Sequence, residues 1–399
     1  MNKIFKSAMF FAAAVTLGLT SCGSDDDNNN SAPTPAAVTD PQNLEYTSEL
    51  AAAWGNYAVN VAKLLEDDAT NLYNEWNNNY AQKFKNADAS IGFDSYDACV
   101  EQMIDGCIDI ANEVGAAKIG EPVDYWNAGD RTKALYAVES WYSWHSRDDY
   151  KNNILSIANA LVGKCLTEAE FRSYASYDNL KNAINSSNLP ENSIMGIEGI
   201  GADKTWQKIV AAWEAIDNIP QPFRNNIGSN EAAKAMDACA ELNNSLAEMK
   251  SYIATLDDDD LKSIVQQFVD NVVLPTYKDL VAKNKALLNA VRAFQANPSD
   301  ATFASACEAW LAARQPWETS EAFLFGPVSD MGLDPNMDSW PLDAAGIYEL
   351  LKSQQWSEMQ WSGDYDEEDE AIEAAQALRG YHTLEYLLFK DGQPRKVIN

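Results

Sequence analysis

Basic residues are scarce. Lysine and arginine number 29 against 60 aspartates and glutamates, a net charge of −31 over 399 residues. A surface of that sign repels nucleic acid and anionic headgroups, so neither is expected as a partner of the folded part. Histidine is scarcer still, with His145 and His382 alone. No HExxH, no glycine-rich phosphate loop and no Ser-His-Asp or Cys-His arrangement stands out, so the common patterns of zinc peptidases, nucleotide enzymes and nucleophilic hydrolases are missing. With Cys22 assigned to lipid, Cys99, Cys107, Cys165, Cys239 and Cys307 are an odd, scattered set. They imply no disulfide framework and read as small core residues. The apolar run from Ala8 to Leu19 is too short for a membrane-spanning helix.

What is present begins with two lysines, that apolar run, and then Thr20, Ser21 and Cys22, the order of a secretory signal. Small residues ahead of a cysteine match a lipobox, so residues 1–22 are expected to be a lipoprotein signal peptide with lipid on Cys22. Residues 23–41 are polar and proline-containing, bury too little surface to fold, and read as a tether. Its start, Asp25 to Asp27, resembles the surface-export signals of some Gram-negative lineages. The expectation is a cell-envelope lipoprotein, held to the outer membrane through Cys22 and facing the periplasm or the outside.

Beyond Gln42 the chain has strong helical and weak strand periodicity. Leu50, Trp54, Tyr57, Val61, Leu64 and Leu65 recur at steps of three and four, as do Ile264, Phe268, Val272, Leu280 and Leu287, so the fold class is all-α. Turn chemistry gathers from Asn86 to Asp94, Gly120 to Gly129, Asn185 to Gly201, Pro220 to Ser229, Leu256 to Asp260 and Gly326 to Pro341. Helices joined by such loops make bundles. The run Asp257 to Asp260 complements the dipole of a helix running toward Pro275 and marks a boundary between two lobes, 42–250 and 256–399.

Three clusters carry chemistry. Gly380, His382 and Glu385 form GxHxxE in an apolar helix; three residues apart, the imidazole and carboxylate share a face and can ligate a metal, share a proton or hold a polar ligand. Gly380 lets a helix or ligand approach closely. Trp310, Arg314, Trp317 and Glu321 form a stripe at steps of four, three and four, with Glu318 one turn after Arg314, so Arg314 lies between two carboxylates. Pro316 is expected to kink or interrupt that helix. In the third cluster His145, Asp149, Asn152 and Ser156 line one face, and Ser146 with Asp149 reads as a capping pattern; buried Asn152 or Asn153 would need partners. Asp330, Asp334, Asp338 and Asp343 do not have EF-hand spacing and read as turn and capping residues. If the two histidines meet, His382, Glu385 and His145 are the ligand set of an open zinc site.

These segments together resemble the imelysin-like family: LPTYKDLVAKNKALLNAV from Leu274, AWLAARQPWETSEAFLFGPV from Ala309, DSWPLD from Asp338, GYHTLEYLLF from Gly380, HSRDDYKNNI from His145 and IPQPF from Ile219. The order differs, since in usual members the helix like that from Leu274 comes first and GxHxxE falls mid-chain, which reads as a circular permutation. The resemblance implies two similar four-helix bundles with a site at their interface. Carried over, that site draws Gly380, His382, Glu385, Arg314, Trp317, Glu318, Ser320 and Glu321 from one half, and His145, Ser146, Asp149 and Asn153 from the other. It also implies a role in iron uptake, with a metal such as iron or zinc, a metal complex or a small polar molecule as ligand and an iron-uptake transporter as partner. The alternatives are a zinc metallopeptidase using the HxxE pair and a structural surface protein without ligand.

Overall fold

Trp54, Tyr57, Ala58, Val61, Leu65 and Leu72 are all buried on the helix Ala51–Glu75, the face marked out by their spacing. In this computed structural model the described residues are 44–397. The expected signal peptide, Cys22 and the tether 23–41 lie outside them. Residues from Tyr46 onward form one compact unit, almost entirely helical, with a two-residue antiparallel pairing in which Phe389 faces Pro394.

Two rings of four helices build it. Tyr96–Asn112, Ser146–Val162, Ala202–Asp217 and Asn230–Lys250 pack around one core. Ala51–Glu75, Leu274–Ala296, Asp300–Glu318 and Gly380–Leu388 pack around the other. The first helix therefore lies with the C-terminal ones, across the division expected between 250 and 256. Its apolar face explains this: Trp54 Nε1 donates to the Leu387 carbonyl at 2.9 Å and Tyr57 Oη to that of Leu378 at 2.7 Å, fixing it to the helix that bears GxHxxE and to the turn just ahead of it.

Asp257 caps the helix Asp258–Phe268, whose first turn holds Asp258, Asp259 and Asp260, as the acidic run suggested. A π-helical segment, Val269–Val273, then leads into Leu274–Ala296 with Pro275 in its first turn; the wider turn accommodates a residue that lacks an N–H. Pro316 does not interrupt its helix in the middle, because Asp300–Glu318 ends two residues beyond it. Cys99, Cys107, Cys239 and Cys307 are buried as expected, whereas Cys165 is half-buried, and all five are free.

The rings meet where Asp300–Glu318 and the short turn Glu321–Phe323 lie against Ser146–Val162 and Tyr96–Asn112. Gly106 makes this closeness possible, since a Cβ there would collide with the Ala322 carbonyl.

Candidate functional site

The helix Gly380–Leu388 is buried on every side. Gly380 has φ +91°, and a Cβ on it would stand 2.7 Å from the Met337 carbonyl oxygen. The close neighbour is thus the short helix Leu333–Asp338, which carries Asp338 to His382. His382 Nδ1 lies 3.0 Å from Glu385 Oε2, while Glu385 Oε1 accepts both the Ser143 N–H and the Ser143 hydroxyl at 2.7 Å. Facing a carboxylate, Nδ1 carries a proton, and the HxxE pair is turned on itself. Glu385 orients the ring, as outer-shell carboxylates orient metal-binding histidines.

The other ring nitrogen points into an acidic centre. His382 Nε2 is 3.1 Å from Asp338 Oδ1 and 3.3 Å from Glu139 Oε1, and Trp340 packs edge-on against the ring at 4.8 Å between centroids. Metal bonds of about 2.0–2.2 Å place neighbouring ligands roughly 3 Å apart, so these spacings suit one ion. One imidazole with two carboxylates is a donor set for iron, manganese or zinc. Among the described residues, the groups of metal-ligating atoms lying within 4.8 Å of one another are Glu139–Asp338–His382 and Glu318–Glu321–Asp338. Neither group holds Glu385 or His145, the two residues expected beside His382; Glu139 and Asp338 stand near its Nε2 instead.

Arg314 is fully buried at the heart of the cluster. Nη2 is 2.9 Å from Glu139 and 2.6 Å from Glu318, Nε is 3.3 Å from Asp149, and Nη1 bonds Asp338. Asp338 also accepts Trp317 Nε1 at 2.7 Å. Arg314 does pair with Glu318 one turn on, but the helix ends at Glu318, so Glu321 leaves the stripe and faces Lys118 Nζ at 3.9 Å. Lys118, on the π-helical segment Glu113–Ile119, reaches Glu139 Oε2 at 3.1 Å.

The side chains of Glu139, Asp149, Glu318, Glu321, Asp338 and Glu385 are each less than a tenth exposed, and so are the two permanent cations Arg314 and Lys118. Acid is therefore in surplus, and buried charge must be matched or neutralised. Burial raises the Glu139 carboxyl, but Lys118, His382 and Arg314 overcome it and hold its pKa at about 2. Asp338 is likewise held far below the carboxylate range by Arg314 and His382 against its burial. Burial wins at Glu318 and Glu321, which rise well above that range despite Arg314 and Lys118. At His382, burial and Arg314 lower the pKa, yet hydrogen bonds to Asp338, Glu139 and Glu385 lift it well above the imidazole value. The proton-bearing forms of His382, Glu318 and Glu321 are thus favoured relative to the free side chains.

The remaining sequence candidates divide. Asn153 donates to Glu318 Oε2 at 2.6 Å, which satisfies the buried amide's N–H side. Asp149 is taken up by Arg314 and the Ser140 hydroxyl, and Ser146 Oγ donates back to the Glu139 carbonyl at 2.5 Å. The expected Ser146–Asp149 capping pattern is not used, since the helix begins after His145 without a side-chain cap. His145 is a quarter exposed and 3.9 Å from Asp149 Oδ1, a neighbour of the cluster rather than a member. Ser320 Oγ closes the end of its helix on the Trp317 carbonyl at 2.7 Å. Of the loop aspartates, Asp343 caps a helix as expected, accepting the Gly346 N–H, but Asp338 serves Arg314, Trp317 and His382. Sequence reasoning passed over Glu139, Lys118 and Ser143. Glu139, Ser140 and Ser143 belong to a loop strained at Ser140 and Trp144, with φ +51° and +62°; such strain accumulates at functional sites, though no periodicity announces it.

A cavity of about 400 Å³ opens elsewhere, lined by residues including Lys164, Asn188, Pro190, Gln267 and Asn271, and none of the cluster residues lines it. The family described as Imelysin matches the chain over residues 25–249 and 273–397. A crystal structure of an imelysin peptidase from Bacteroides ovatus is 50% identical, covers 90% of this chain and 100% of its own, and superposes with a TM-score of 0.80. Iron-regulated protein A of Synechococcus elongatus is 34% identical over 130 residues, 33% of this chain. That match spans about a third of the relative's own length, 32%.

Proposed function

The chain belongs to the imelysin family, and from that premise we propose that it binds a transition-metal cation, iron foremost, as cargo at His382, Glu139 and Asp338 in iron uptake at the cell envelope. The observation that carries this reading is the convergence of His382 Nε2 on two carboxylate oxygens at 3.1 and 3.3 Å, inside a buried cluster with more acids than bases. The partial likeness to an iron-regulated protein favours iron among the metals this donor set can take. A secretory signal ending in Cys22 supports attachment to a membrane by lipid, and an uptake transporter would be the recipient of the ion. The interruption of the family match between 249 and 273 falls where a permuted order would join the old termini, and we include that order in the proposal.

A zinc peptidase built on the HxxE pair is a poorer reading. Glu385 spends both oxygens on His382 and Ser143, so the HxxE pair does not present its imidazole and its carboxylate to one ion as that reading needs. The test is anaerobic calorimetric titration of the purified protein with ferrous iron. His382→Ala should abolish binding at this site, and Glu385→Gln should weaken it about 10- to 100-fold, the usual effect of losing an outer-shell partner. Unchanged binding in His382→Ala, or none in the unmodified protein, would end the proposal.

A further inference from the structure

Glu321 has no role in the centre just described. Its side chain is 6% exposed. Among the described residues its carboxylate has no hydrogen-bond partner, and the nearest cation, Lys118 Nζ, stands 3.9 Å away. A buried carboxylate so poorly matched is costly unless something else neutralises it. Its ligand oxygen lies within 4.8 Å of one from Glu318 and one from Asp338. Asn153, fully buried and bonded through Nδ2 to Glu318, keeps its Oδ1 without a hydrogen-bond partner. The three carboxylate oxygens supply an acceptor-only set beside the first centre, and Asp338 belongs to both.

Resting on the reading above, we propose that Glu318, Glu321 and Asp338 form a second cation position, so that the cluster takes up two divalent ions with Asp338 shared between them. The six buried carboxylates face two permanent cations, Arg314 and Lys118. With all six ionised and His382 neutral, two divalent ions bring the buried charge to zero. The donors also differ: the first position offers an imidazole nitrogen, the second only carboxylate oxygens. The second position therefore selects a harder ion such as manganous manganese, while the first tolerates iron or zinc as well. Filling the position exchanges any proton on these carboxylates for the ion, so no oxidant or reductant is required.

Equilibrium dialysis of the full chain against Mn²⁺, with paramagnetic resonance of the loaded protein, tests this. The expected result is two ions per chain with the signature of a magnetically coupled pair, since two-metal sites hold their ions about 3.5–4 Å apart. Glu321→Gln should lower the count to one and remove the coupling, while His382→Ala should remove the other ion and leave the oxygen-only position. One ion in the unmodified protein would overturn the second position and leave the first intact. No ion at all would overturn the underlying metal reading as well. If Glu321→Gln fails to fold, the stoichiometry and coupling of the unmodified protein still decide.

Discussion

Arg314 is where the chemistry of single residues is most exposed to test. It answers Glu139, Asp149, Glu318 and Asp338 at once, with no exposure to solvent. Removing one member of a buried ionic cluster leaves its partners unmatched and commonly costs about 3–5 kcal/mol. Arg314→Met, which keeps much of the side-chain volume, should therefore lower the free energy of urea unfolding by about that amount; a loss below about 1 kcal/mol would show that protonation of Glu318 or Asp149 substitutes for the guanidinium at little cost. Arg314, Glu318, Asp149, Asn153, His382 and Glu385 were all legible in the sequence because each lies on a helix at a step of three or four from another polar residue. Glu139, Lys118 and Ser143 were not. Two come from a strained loop and one from a π-helical turn, where neither 3.6- nor 2-residue periodicity predicts direction.

At the level of elements, the site depends on how closely Leu333–Asp338 approaches the start of Gly380–Leu388. Gly380 sets that distance through its left-handed backbone and its missing Cβ. Gly380→Ala should both strain φ and push the Met337 carbonyl away, lowering the melting temperature by several degrees, roughly the effect of 1–2 kcal/mol, and displacing Asp338 from His382. Calorimetric melting with parallel metal titration would show both losses; a variant with unchanged melting and affinity would mean that the short helix can shift without consequence. The glycine's importance was readable from GxHxxE, but what approaches it was not, because Leu333–Asp338 lies in a stretch that reads as aspartate-rich turns. The same stretch hid Asp338, whose pairing with Arg314 and Trp317 needs long-range folding to become visible.

For the molecule as a whole, the all-α class followed from nearly continuous helical spacing, and two rings of four helices appear in the structure. Membership of the rings was harder to read, because Ala51–Glu75 packs with helices more than 200 residues later in the chain and an amphipathic stripe does not name its partner. Among the described residues no helix is long and apolar enough to cross a membrane, so attachment through Cys22 remains part of the proposal. The surplus of acid that marks the whole chain is repeated inside it, where the pKa values of His382, Glu318 and Glu321 are all raised. Binding a metal must therefore expel protons. Hydrogen bonds to Asp338, Glu139 and Glu385 raise His382 above its ordinary value against burial and Arg314, so an ion that takes Nε2 competes with a proton there. The decisive measurement is calorimetric titration of the protein with ferrous iron from about pH 5.5 to 8, in buffers of different ionisation enthalpy. The expected result is proton release at every pH and an affinity that climbs about tenfold per pH unit for each proton expelled; an affinity independent of pH, with no protons released, would contradict binding at His382.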